Sequence, residues 1–140
     1  VTEFSEIRQA FATNLEALNV DESWIEVSPY AIPDPGFRMP VIMVWGIDDE
    51  EGVTFDRGTS DMFVVIRAVT GTMVEVPPQQ TLDRLLMGEL DVTGLIESDR
   101  TLGGLVDDLF VANMTGHREF PQGSSRVLGA EWRVRLILSS

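Results

Sequence analysis

The chain has 140 residues, 44% apolar and 24% charged, a composition that suits one folded domain and not a disordered segment. Its 23 Asp and Glu outweigh ten basic residues, all of them Arg, for a formal net charge of −13. That balance excludes general attraction to a nucleic-acid backbone or an anionic membrane, and the lack of Cys excludes disulfides, thiol catalysis and Cys-based zinc sites.

Residues 2–18 read as an amphipathic helix, because Phe4, Ile7, Phe11, Leu15 and Leu18 recur at steps of three and four. Glu3 and Glu6 complement the helix dipole in the first turn, and Asn19 suits the end. Trp24–Tyr30 reads as a strand, with Pro29 predicting a strand end or a sheet edge. Ile32–Phe37 carries turn chemistry in Pro33, Pro35 and Gly36. Val41–Ile47 is apolar on both faces, as a buried strand requires. Asp48–Ser60 reads as a polar connection holding the acidic run Asp48-Asp49-Glu50-Glu51. Asp61–Val69 predicts a second buried strand, with Met62, Val64, Ile66 and Ala68 on one face and Phe63, Val65, Arg67 and Val69 on the other.

Pro77-Pro78 precede a helix expected from Gln79 to Met87, with Leu82, Leu85 and Leu86 on its apolar side. Asp91 is placed to cap a short helix carrying Val92, Leu95 and Ile96. Thr101–Gly104 is a turn into a sheet segment, Leu105–Met114. Thr115–Arg126 reads as a polar loop with Gly116, Pro121 and Gly123. The last strand alternates cleanly: Trp132, Val134, Leu136 and Leu138 oppose Glu131, Arg133, Arg135 and Ile137. The fold class is α+β: an antiparallel or mixed sheet packed with the N-terminal helix and one or two more, in a single domain over residues 1–140.

Chemistry is weakly signalled. The four acids Asp48–Glu51 are consecutive, so their side chains diverge, and no spaced calcium-loop pattern occurs. Asp107 and Asp108 are expected to point to opposite sheet faces, with one paired to Arg133 or Arg135 on the neighbouring strand. His117, the one histidine, has no nucleophile that the sequence can nominate beside it, and no Gly-x-Ser-x-Gly elbow exists. Gly103-Gly104 lacks the spacing and the Lys of a phosphate loop. Trp24, Trp45 and Trp132 are expected in sheet packing. The expectation is a non-enzyme with no catalytic, cofactor-binding or metal residue. The rival is a small acidic metal-dependent enzyme using Asp48–Glu51, Asp107 or Asp108. The longest apolar run, Val41–Trp45, falls far short of the roughly 20 residues of a membrane helix, and the first residues lack a signal-peptide pattern. A soluble protein made inside the cell is expected.

The order of elements resembles that of the tail terminator (tail completion) proteins of long-tailed bacteriophages. The likeness rests on the N-terminal amphipathic helix, the strands at Trp24–Tyr30, Val41–Ile47 and Asp61–Gly71, and the Leu-rich helix at Leu82–Met87. Its best local match runs from Asp99-Arg100-Thr101-Leu102-Gly103-Gly104-Leu105-Val106-Asp107-Asp108 to Val127-Leu128-Gly129-Ala130-Glu131-Trp132-Arg133-Val134. In one departure, many relatives carry Tyr near the start of the last strand, where this chain reads Arg126-Val127-Leu128-Gly129.

The resemblance implies a hexameric ring that caps the tail tube once it reaches full length and offers a surface to the head-side connector. It implies no enzymatic activity and no cofactor. Its partners would be further copies of itself, the tail tube protein and the connector, with DNA passing through the channel unheld. Its place would be the head-proximal end of the virion tail, after assembly in the host cytoplasm. Another neck or head–tail connector component is the nearest alternative. Asp48–Ser60 and Thr115–Arg126 are the expected contact segments, through Asp48, Asp49, Glu50, Glu51, Phe55, Arg57, His117, Arg118, Phe120 and Arg126. Their arginines suit bidentate pairing with a neighbour's carboxylates. Phe55 and Phe120 are the expected apolar anchors, dispensable for folding of the monomer. At −13 per copy, subunits repel, so added salt is expected to favour the ring.

Overall fold

Helix α1, Phe4–Leu15, opens the computed structural model, which describes residues 3–19, 25–31, 40–47, 53–56, 59–72, 76–87, 91–122 and 125–139. Glu3 and Glu6 form a reciprocal capping box at its start. The helix buries Ile7, Phe11 and Leu15, and a 3-10 turn over Glu16–Asn19 carries Leu18 into the same core.

Among the described residues six strands make one mixed sheet: β1 Glu26–Ser28, β2 Val41–Ile47, β3 Val53–Asp56, β4 Thr59–Thr72, β5 Asp108–Gln122 and β6 Ser125–Ser139. The order is β1-β2-β4-β6-β5, and β3 pairs with the start of β4 beyond the end of β2. Among the described residues only β1 against β2 is parallel. β1 is an edge strand that stops before Pro29, as proline's missing N–H predicts.

Two further helices follow β4: α2, Val76–Met87, and α3, Val92–Glu97. Pro77 and Pro78 lie inside the first turn of α2 and not before it, because the first N–H groups of a helix have no partner within it to lose. Asp91 caps α3 as expected, its carboxylate accepting from Gly94 N at 3.2 Å.

The alternation read in β4 and β6 is the alternation observed. Val64, Ile66, Ala68, Ala130, Trp132, Val134 and Leu136 are buried against Phe11, Leu82, Leu85, Val92 and Ile96 from the three helices. The three described helices therefore pack on one face of the sheet. A smaller cluster of Val41, Met43, Val69, Phe120 and Val127 lies on the other face, with Trp45 against it.

The polar loop expected at Thr115–Arg126 is instead the far half of a long β5–β6 hairpin, with Phe120 opposite Val127 and Gln122 opposite Ser125. Register shifts between Val111 and Asn113, and between Thr115 and Arg118, reset the phase of the side chains and hide the period of two. The connection expected at Asp48–Ser60 likewise contains β3 and the first residues of β4.

Candidate interaction surface

β4 and β6 run antiparallel with Arg67 opposite Glu131 and Phe63 opposite Arg135. Both pairs lie on the sheet face away from the helices. Arg67 donates from Nε and Nη2 to Oε2 of Glu131 at 3.0 and 2.8 Å. Its guanidinium lies over Trp45 at 3.7 Å and over Phe120 at 4.2 Å from the ring centres. A β-bulge between Val44 and Gly46 makes Trp45 the extra residue of β2, beside Arg67. The second oxygen of Glu131 accepts from Arg118 on β5, so one carboxylate ties three strands together.

The pattern continues along β6. Arg135 donates to Asp61 on β4 and lies 5.7 Å from the ring centre of Phe110 on β5. Arg133 lies over Phe63 at 4.0 Å. Each guanidinium meets the electron-rich face of a ring. The result is a lattice of alternating arginine and aromatic side chains across β2, β4, β5 and β6. Among the described residues no helix covers it.

Of the residues expected at an interface, Arg118 and Phe120 are brought together here, at 5.6 Å from guanidinium to ring centre. Phe120 is not a loop anchor: it is 8% exposed and belongs to the sheet-face cluster. It lies so close over the backbone that a Cβ at Gly129 would stand 2.8 Å from its ring and 2.1 Å from Ala68 O. His117 faces the helix side instead, sharing a 2.9 Å hydrogen bond with Asp83 on α2 from a bulge where its φ is 53°. A Cβ on the adjoining Gly116 would meet Leu86 at 2.8 Å, so the glycine marks close approach of α2 to β5 and not a loop. Arg126 pairs with Glu119 at 3.3 Å across the hairpin. The backbone of Phe55 pairs with Ser60 in the β3–β4 ladder. Asp48, Asp49, Glu50, Glu51 and Arg57 lie outside the described residues.

The carboxylate of Asp108 does not pair with a β6 arginine. It accepts from Nε and Nη2 of Arg100 at 2.9 and 3.2 Å, eight residues back in the chain. That hydrogen bond holds the Asp108 carboxyl below its ordinary value and raises Arg100. Arg135 is engaged by Asp61 on β4. Trp45, Arg67 and Glu131 were not singled out by the sequence as surface residues. The signal was the alternation itself, which puts Arg67 and Glu131 on the face opposite the apolar one; their register was not readable.

On the helix side, a shallow depression of about 400 Å³ lies between α1 and the turn at 101–104. Ala10 and Leu102 contribute to its apolar lining, and Glu6 and Asp99 supply carboxylates. The turn holds Leu102, Gly103 and Gly104 at φ of 49°, 67° and 97°. Among the described residues no group of three or more His, Asp or Glu is placed to hold a metal, and no helix is long and apolar enough to cross a membrane. No protein-family model matches the chain, and no curated protein matches it.

Proposed function

We propose that this chain is the subunit of a hexameric ring that caps the tail tube of a long-tailed bacteriophage, ends its elongation and offers a joining surface to the head-side connector. The observation that carries the reading is the one-sided architecture. The described helices pack on one face of the sheet, and the other carries the arginine–aromatic lattice, whose Arg118 and Arg135 stay partly exposed. A closed ring needs two unlike patches on each subunit, and a sheet with helices on one side supplies them. The residue pattern of Asp99–Asp108 and Val127–Val134 supports the same reading. In it the Leu102–Gly104 turn sets the entry to β5 and holds no ligand. Arg67, Glu131 and Arg118 are structural ties in this account and take part in no reaction.

The test is negative-stain microscopy of the purified protein beside its solution mass and its binding to isolated tail tubes. Rings with a central hole, a mass about six times the 15.5 kDa subunit, and attachment at one tube end are expected. A species of 15.5 kDa that ignores tube ends at every concentration overturns the proposal.

A further inference from the structure

Charge is unevenly divided between the two sides of the molecule. Over β4, β5 and β6 the sheet face away from the helices carries Arg67, Arg118, Arg133 and Arg135 against Asp61, Glu131 and Asp108, the last of them paired with Arg100. This is a basic surplus in a chain of net charge −13. Glu131 already serves two arginines, Arg67 and Arg118, so these three residues keep a net positive charge. Arg118 and Arg135 remain 48% and 37% exposed at the side chain, which leaves their guanidinium groups within reach of a partner.

The helix side has the opposite character. Glu3, Glu6, Glu16 and Asp91 are exposed on or beside α1 and α3. The depression between α1 and the 101–104 turn combines the apolar Ala10 and Leu102 with the carboxylates of Glu6 and Asp99. An arginine suits such a groove: its stem lies on apolar surface while its fork reaches a carboxylate. The protein thus presents a basic aromatic face on one side and an acid-bearing apolar groove on the other.

We infer that the β4–β5–β6 face of one copy, through Arg118 and Arg135, docks on the Glu6 and Asp99 groove of a second copy. The occupant is a second copy because the complementary charge is on the same chain. The contact joins unlike patches, so it propagates head to tail and closes into a ring when the rotation allows. The inference rests on the ring reading for its closure and adds the two surfaces that meet.

Charge reversal with mixing tests it. One variant carries Arg118→Glu and Arg135→Glu; the other carries Glu6→Arg and Asp99→Arg. Sedimentation velocity is run on wild type, each variant alone and an equal mixture, with circular dichroism to verify folding. Wild type is expected to self-associate, and each variant alone to lose at least about tenfold in association. The mixture is expected to recover it, because each reversed face then meets its opposite on the other variant. If Arg135→Glu disturbs the fold through the loss of its bond to Asp61, or Arg118→Glu through the loss of its bond to Glu131, the other single variant replaces the double one, and if Glu6→Arg disturbs the α1 capping box, Asp99→Arg alone replaces its partner.

Variants that associate like wild type, a mixture that stays dissociated, or a wild type that remains monomeric each overturn the docking. Tube capping is scored separately. Charge-reversed subunits that still form rings and cap tubes leave the ring reading standing without this docking. Wild-type subunits that associate in the charge-dependent way but never bind a tube end leave the docking standing and remove the ring reading.

Discussion

Arg67 is held from three directions, by Trp45 on β2, Glu131 on β6 and Phe120 on β5. Its side chain is 19% exposed, so ring contacts and ion pair act in partly dry surroundings, where each is stronger than in water. Phe120 completes this cluster, and its loss removes a nearly buried ring. Phe120→Ser should therefore lower the stability of the monomer by about 3 kcal/mol or more, read from urea denaturation. A loss under about 1 kcal/mol would mean that the ring is not part of the fold, as the sequence alone suggested. Asp108 gives a second check at this scale. Its folded-state value is depressed by Arg100, so the pair contributes stability above the ordinary Asp value of 3.8 and loses it as pH falls through the lower folded value. In an NMR titration the Asp108 carboxyl should titrate below 3.8 in wild type and rise towards 3.8 in Arg100→Gln. No difference between the two proteins would show that the pair does not persist in solution.

Helix α3 is short, yet it fixes the exposed edge of the sheet. Its cap is Asp91, its buried residues are Val92 and Ile96, and Glu97 in its last turn accepts from Val111 N on β5 at 3.0 Å. That bond closes one of the donors an edge strand would otherwise offer to another chain. Glu97→Ala should speed hydrogen exchange at Val111 about tenfold, equivalent to roughly 1.4 kcal/mol, while exchange in β4 stays unchanged. Unchanged exchange at Val111 would mean that the edge is protected by something other than Glu97. Elements with a sustained local pattern were legible in the sequence: α1 by its period, β2 by its unbroken apolar run, the middle of β4 and the end of β6 by alternation, and the Asp91 cap. β5 was legible only as far as Met114, because two bulges shift its phase and Gly116 and Pro121 imitate a turn. The sheet-face lattice was legible as a set of positions but not as contacts. Arg67 and Glu131 stand 64 residues apart, and their meeting depends on a register that no local pattern encodes.

Net charge and local charge make opposite demands on the whole molecule. At −13 per copy, two copies repel at long range, yet in the docking proposed above the basic sheet face and the acid-bearing groove attract at contact. Salt separates the two by distance. The Debye length falls from about 30 Å at 0.01 M to about 10 Å at 0.1 M and about 3 Å at 1 M. Between the first two values, repulsion between whole subunits is screened while contact pairs a few ångströms apart, partly shielded from solvent, are screened less. Towards the third, the contact pairs weaken as well. Self-association followed by light scattering should therefore rise from 0.01 M to near 0.1–0.2 M salt and fall towards 1 M. A rise continuing to 1 M would mean that apolar contact alone holds the copies together and that the arginine face contributes nothing. A fall from the lowest salt onward would mean that net charge does not oppose assembly, which would require the acids to be kept apart wherever two copies meet.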